Sequence, residues 1–133
     1  MGVGRIALSV YCWMAERGML KPGVMIELGS QDLFIKKCPE LLTELFGYFQ
    51  LTVPPGLASS ADMMRALGFD YECIDIDGEY GAHRYDLNNP VNLDSVYDLV
   101  TNHGTTEHCF DQAQCFRTVH RACRNSAPSS RGT

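Results

Sequence analysis

Val24-Met25-Ile26-Glu27-Leu28-Gly29 is the stretch that decides the fold of this 133-residue chain. It follows the turn residues Lys21-Pro22-Gly23, it is apolar except for one acid, and a glycine closes it. Short apolar runs bounded by turn residues are typical of strands buried on both faces, as in parallel sheets that helices cover. The stretch therefore predicts an α/β protein.

The rest of the chain alternates between patterns typical of helices and patterns typical of buried strands. Helices are predicted at Ile6 to Leu20, at Glu40 to Phe49 with Pro39 in the first turn, from the cap Ser60 to Gly68, and at Glu107 to about Arg124. Further strands are predicted at Tyr71 to Ile76, His83 to Leu87 and Val96 to Thr101. This alternation predicts a mostly parallel sheet of about four strands flanked by helices.

Composition and charge exclude several classes of protein. The formal net charge of −5 and a pI near 5.2 disfavour nucleic acids and anionic membranes as partners. Both partners are negatively charged, and proteins that bind them usually carry an excess of basic residues. The longest apolar run, Ile6 to Ala15, is shorter than the roughly 18 residues that span a bilayer. We therefore expect a domain with no nucleic-acid partner and no membrane partner.

The 6 cysteines are scattered without any CxxC pair, and the cysteines and histidines together match no standard zinc spacing. Cys12, Cys38 and Cys73 lie in apolar periodic segments, where a free thiol behaves as a small hydrophobic group. We therefore expect reduced cysteines, no bound metal and a cytoplasmic location.

The ends of the predicted strands carry the polar residues that matter for function, because ligands of parallel sheets lie beyond the carboxyl ends of the strands. Gly29 would let a ligand approach the backbone, and Asp75 can accept hydrogen bonds from both hydroxyls of a ribose. Asp86 could accept from an exocyclic amine, while Leu87 offers an apolar face to a ring. Several carboxylates suit a cationic or neutral nucleoside better than a pyrophosphate, which prefers amides and positive charge.

Four segments share their order and spacing with a known set of motifs: VMIELGSQD at 24–32, YECIDIDG at 71–78, HRYDLN at 83–88 and YDLVTNHGTTEH at 97–108. They resemble the first four motifs of class I S-adenosylmethionine-dependent methyltransferases. The resemblance covers about residues 21–123. It implies an incomplete Rossmann-like methyltransferase fold and S-adenosylmethionine as the cofactor.

The resemblance also implies a set of cofactor-binding residues. On the methionine side these are Glu27, Gly29, Ser30 and Gln31. The ribose would be held by Asp75 with its neighbour Asp77, the adenine by Asp86 and Leu87. The floor near the transferred methyl group would be formed by Asn102 to Thr105.

Two departures from the family pattern affect the expected activity. Gln31 and Leu33 stand where the first motif usually has its second and third glycines. The family also continues with further strands after the helix that ends near Arg124, whereas residues 125–133 are polar and are predicted to be a tail. We therefore expect a single truncated domain over residues 1–124 that does not catalyse methyl transfer alone.

Other interpretations of the same residues stay open. Acids at strand ends can simply cap helices, and His103, Glu107 and His108 suit either a general base or a helix cap. As an alternative function, the domain is a non-catalytic interaction module that homodimerises through its fourth strand, at an exposed sheet edge. A nucleotide-dependent oxidoreductase is disfavoured because no GxGxxG follows the first strand.

Overall fold

The computed structural model describes residues 2–34, 36–78, 81–93 and 96–123. Over these ranges the chain is an α/β protein with parallel sheets flanked by helices. The predicted tail at 125–133 lies outside them. None of the helices in the described ranges is long and apolar enough to cross a membrane.

β2 is the central strand of the main sheet. In chain order the elements of the described residues are β1 (Gly2–Val3), α1 (Arg5–Glu16), β2 (Val24–Leu28), β3 (Asp32–Leu33), α2 (Pro39–Tyr48), α3 (Ser60–Ala66), β4 (Asp70–Ile74), β5 (Leu99–Asn102) and α4 (Gln112–Ala122). The main sheet is parallel, with the order β4-β2-β5. The buried strand predicted at the start is therefore confirmed.

Side chains of β2 alternate between two cores, one on each face of the sheet. Met25 packs with α1, α2 and α3 in the larger core, whereas Ile26 and Leu28 pack with α4 in the smaller one. None of the three is more than 1% exposed. Burying each such side chain stabilises the fold by about 1.5–3 kcal/mol, so a nearly uniformly apolar strand is favoured between two helical layers.

The structure contains a second parallel sheet, of two strands, that was not predicted from the sequence. In it, β1 pairs with β3, which places Gly2 beside Asp32 and Val3 beside Leu33. Each of these strands has 2 residues, too few for any periodic pattern to indicate a strand. The pairing anchors the segment that follows β2.

The prediction of a strand at His83 to Leu87 was wrong, because this segment forms a single β-bridge and no strand. The amide of His83 donates to the carbonyl of Cys73 (2.8 Å), and its carbonyl accepts from the amide of Asp75 (3.0 Å). The amide of Tyr85 then donates back to the same carbonyl (3.1 Å), so the chain turns and the pairing stops. The main sheet thus has three strands in the described residues, where about four were predicted.

The observed helices differ from the predicted ones at their ends, and the cap of α3 is Ser59 instead of the predicted Ser60. α1 stops at Glu16, before the predicted end at Leu20, because Gly18 takes a positive φ of 65° that ends the helix. The helix predicted from Glu107 starts instead as a 3-10 turn, Thr106–His108. α4 begins only after Asp111, whose carboxylate accepts from the amide of Gln114 at 2.8 Å.

The capping box at the start of α3 should contribute measurably to stability. The hydroxyl of Ser59 accepts from the amide of Asp62 (3.1 Å), and the carboxylate of Asp62 accepts from the amide of Ser59 (3.3 Å). We expect Ser59→Ala to lower the free energy of unfolding by about 1 kcal/mol in urea denaturation, because a helix amide loses its partner. The control, Ser9→Ala on the exposed side of α1, should change it by less than about 0.5 kcal/mol. Equal midpoints for the two variants would contradict this account.

Candidate functional site

A cavity of about 430 Å³ lies at the carboxyl ends of the main-sheet strands. Its walls come from the loops that follow β2, β4 and β5 and from residues 85–88. Most of the cofactor-binding residues predicted from the sequence line it, namely Gly29, Ser30, Gln31, Asp75, Asp77, Asp86 and Leu87. A cavity of this size suits a small organic ligand.

The carboxylate of Asp75 joins the loops of two neighbouring strands. One oxygen accepts from the amide of Ser30, after β2, at 2.8 Å. The other accepts from the amide of Asp77, in its own loop, at 3.1 Å. Hydrogen bonds to an ionised carboxylate are about twice as strong as neutral ones, so this pair holds the two loops in a defined relation. Asp75 therefore shapes the wall that it also lines.

Gly29 is required by packing within the protein itself. Its φ is 87°, and a Cβ added to it would collide with the hydroxyl of Thr105 and with the amide group of Gln31. That hydroxyl donates to the carbonyl of Leu28 at 2.7 Å, which fixes the β5 loop against the end of β2. The sequence suggests close approach of a ligand as the reason for a glycine here, whereas the observed close approach is that of Thr105.

Gln31, which follows the end of β2, connects two loops. Its side chain is buried, and Nε2 donates to the hydroxyl of Thr105 at 3.1 Å. Thr105 uses its own proton on the carbonyl of Leu28, so it can only accept from Gln31. The side chain thus narrows one end of the cavity where a glycine would leave space.

Residues 86–88 are held against the start of α4. The carboxylate of Asp86 accepts from the backbone and side-chain amides of Asn88, both at 2.9 Å. The side-chain oxygen of Asn88 accepts from the amides of Phe110 (2.7 Å) and Asp111 (2.9 Å). This network fixes the wall that Asp86 presents to the cavity, although the segment is not a strand.

The cavity combines negative charge with apolar surface. The acids Asp75, Asp77 and Asp86 line it, and none of its described lining residues is lysine or arginine. Ile76 is 67% exposed although it is large and apolar, and it lines the cavity together with Tyr85. Such a site favours a ligand with hydrogen-bond donors or positive charge and a flat apolar part.

Several lining residues were not in the predicted set: Ile74, Ile76, Tyr85, Asn88, His108 and Cys109. The sequence contained an indication that Ile76 lines the site, because it lies between Asp75 and Asp77, two acids predicted to bind the ligand. Gly104 and Thr105 belong to the floor that the motif resemblance implied. The bonds of Asn88 to the start of α4 are long-range, so no local pattern indicates them.

Glu27 does not line the cavity. Its carboxylate is fully buried in the larger core, where it accepts from the hydroxyls of Ser60 (3.0 Å) and Tyr71. Burial raises the pKa of Glu27 to about 7, against the lowering effect of these hydrogen bonds. In the sheet register Glu27 lies beside Cys73, which belongs to the larger core, on the face opposite to Ile26 and Leu28.

His103 is part of the same buried group. Its Nε2 lies 2.6 Å from the hydroxyl oxygen of Tyr11 and 4.0 Å from a carboxylate oxygen of Glu27. Burial lowers the pKa of His103 and raises the pKa of Tyr11. His103 therefore lies with the larger core, whereas His108 lines the cavity.

Asn102 also lies away from the cavity lining. Its side-chain oxygen accepts from the amide of Thr105 (3.1 Å), and its Nδ2 donates to the hydroxyl of Thr106 (2.8 Å). These bonds build the loop after β5. Of the floor predicted at Asn102 to Thr105, Gly104 and Thr105 reach the cavity.

Because no known protein was found to match this chain, the inference of its function rests on the residues that line the cavity. A scan against protein-family models, a search of curated proteins and a search of solved structures each found no match.

The buried carboxyl of Glu27 should make stability depend on pH. With its pKa raised from 4.5 to about 7, the folded state keeps a proton that the unfolded chain has already released. The free energy of unfolding should therefore fall between about pH 5 and pH 7.5, by about 2–3 kcal/mol, and level off above that range. Glu27→Gln should remove this fall.

Urea denaturation of the native protein and of the Glu27→Gln variant at several pH values checks this expectation. The neighbours Tyr11, Tyr71, Cys73 and His103 are common to both proteins, so the difference between the two curves isolates Glu27. Parallel curves over pH 5 to 7.5 would show that the carboxyl is ionised in the fold throughout this range.

Proposed function

We propose that this chain is a methyltransferase-type domain of incomplete Rossmann-like fold that binds S-adenosylmethionine in the cavity at the carboxyl ends of β2, β4 and β5. The observation that carries the proposal is the convergence of Asp75, Asp77 and Asp86 on one cavity. These acids come from two separate loops, and the apolar side chains of Ile76 and Leu87 lie in the same wall. Ligands of parallel sheets bind at this end of the strands.

The ribose has a natural partner in Asp77. The carboxylate of Asp75 already accepts two backbone amides, whereas that of Asp77 has no hydrogen-bond partner among residues 2–34, 36–78, 81–93 and 96–123. A free carboxylate can accept from two vicinal hydroxyls at once. We therefore assign ribose binding to Asp77 and positioning of the loops to Asp75.

The adenine ring would lie against the apolar part of the wall. Ile76, Tyr85 and Leu87 supply apolar surface there. The carboxylate of Asp86 accepts two amides through one oxygen, which leaves its second oxygen for an exocyclic amine. Burial of a flat ring on such side chains supplies most of the affinity of a small ligand, and the polar contacts orient it.

The charge of the cavity favours an adenosyl sulfonium over a nucleoside phosphate. Acids line the cavity and its described lining residues include no lysine or arginine, so a pyrophosphate would meet repulsion without a permanent counter-charge. S-adenosylmethionine carries a positive sulfonium and an ammonium group. Gly104, Thr105 and Gln31 line the part of the cavity where the methionine would lie.

Calorimetric titration tests the proposal. We expect both S-adenosylmethionine and S-adenosylhomocysteine to bind, and ATP to bind at least about tenfold more weakly than S-adenosylmethionine because of its phosphates. Asp77→Asn should weaken S-adenosylmethionine by about tenfold, since hydrogen bonds to a charged acceptor contribute about 1.5–3 kcal/mol.

The matched control is Asp70→Asn, which makes the same charge change at the amino end of β4. Its affinity for S-adenosylmethionine should stay within about twofold of the native value. The proposal fails if folded protein gives no heat with millimolar S-adenosylmethionine, or if Asp70→Asn and Asp77→Asn weaken binding equally.

A second candidate, an interaction module, is favoured by the position of β5. It pairs with β2 on one side, and the pairing described on its other side is the bridge between Tyr97 and Cys123. The outer edge of Leu99–Asn102 is thus a place where a strand of a second copy could add.

Light scattering coupled to size-exclusion chromatography checks the second candidate. Homodimers formed through the edge of β5 should show a mass near twice 14.8 kDa that falls on dilution. A constant mass near 14.8 kDa from micromolar to millimolar protein would exclude this dimer.

A further inference from the structure

A second cavity, of about 600 Å³, lies beside the two-stranded sheet and the starts of α1 and α2. Its wall is apolar at Leu33, Phe34 and Cys38 and basic at Arg5, Lys36 and Lys37. It shares no lining residue with the cavity that we assign to S-adenosylmethionine. Nothing in the proposed function uses it.

The aromatic part of this wall is held in place although it faces outward. Phe34 is 56% exposed, and its amide donates to the carbonyl of Val3 at 2.9 Å. Its ring packs so closely on Gly2 that a Cβ at that position would collide with it. A large exposed ring held by the backbone beneath it is a preformed surface for a flat apolar group.

The basic part of the wall is only partly neutralised. The guanidinium of Arg5 donates to the carbonyl of Lys37 and to the carboxylate of Glu40, both at 2.9 Å, and keeps further N–H groups free. Neither Lys36 nor Lys37 forms an ion pair with a residue in the described part of the chain. Three cations therefore share one carboxylate, in a chain whose net charge is −5.

We propose that this second cavity binds a small amphipathic anion, namely a carboxylate attached to a flat apolar body. The body would pack on Leu33 and Phe34, and the carboxylate would lie among Arg5, Lys36 and Lys37. The net charge of −5 disfavours anions on the chain as a whole, so charge complementarity favours the place where these three cations lie together. The inference does not depend on the binding of S-adenosylmethionine.

Three probes with the same body separate charge from apolar contact: 4-phenylbutyrate, 4-phenylbutanol and 4-phenylbutylamine. Each is titrated into the full chain, with binding followed by NMR shifts of the backbone amides. We expect 4-phenylbutyrate to shift the amides of residues 33, 34 and 36–38 and to bind about tenfold more tightly than the alcohol. The amine should bind more weakly than the alcohol, because the same cations repel it.

Variants locate the site. The double change Lys36→Ala with Lys37→Ala should weaken 4-phenylbutyrate about tenfold and leave the alcohol unchanged, whereas Phe34→Ala should weaken both. Lys21→Ala, an exposed lysine outside this cavity, is the control and should change neither. All variants are compared by circular dichroism, so that loss of fold is recognised.

Three results would overturn the inference. One is the absence of saturable binding of 4-phenylbutyrate at residues 33, 34 and 36–38 of the folded native chain. Another is equal affinity for the acid and the amine, which would leave only apolar contact. The last is a double lysine variant that binds the acid as tightly as the Lys21→Ala control.

Discussion

The carboxylate of Asp75 is the interaction on which the rest of the site depends. It joins the amide of Ser30, after β2, to the amide of Asp77, after β4, and so keeps two strand ends at a fixed separation. Both amides would otherwise require water or another acceptor, since the backbone must satisfy its donors. The position of Asp77 at the cavity follows from this link. The β5 loop is fixed to β2 in a similar way, by the hydroxyl of Thr105 on the carbonyl of Leu28.

Side chains along β2 point alternately to the two faces of the sheet, which explains why Glu27 in the strand and the loop after the strand have different roles. Glu27 projects into the larger core among hydroxyl donors, while Gly29 and Ser30 lie beyond the strand and face the cavity. A buried acid with a raised pKa is often a functional group, but Glu27 lines neither of the two cavities described above. We interpret Glu27, with Tyr71 and His103, as a buried polar group that specifies how α1 and α3 pack on the sheet.

Local signals account for the parts of the structure that could be predicted. The apolar run of β2 and the proline at the start of α2 each act within a few residues, so the chain indicates them directly. The start of α3 was also predicted, although its cap is Ser59 and not Ser60. The position of Asp75 and Asp77 at the cavity could also be predicted, because strand ends of a parallel sheet meet at one edge. Asp86 lines the same cavity although the strand predicted before it does not form. Contacts between residues far apart in the sequence could not be predicted. Neither the pairing of β1 with β3 nor the turn after His83 produces a periodic pattern in the sequence.

Hydrogen–deuterium exchange, measured by mass spectrometry with and without saturating S-adenosylmethionine, tests most directly whether these loops form one binding site. If they do, amides in residues 29–31, 75–77 and 85–88 will exchange more slowly together when the ligand is present, because one molecule contacts all three loops. α2 lines no part of this cavity and should exchange at the same rate in both samples. Unchanged exchange in the three loops, or slower exchange confined to another part of the chain, would contradict the account.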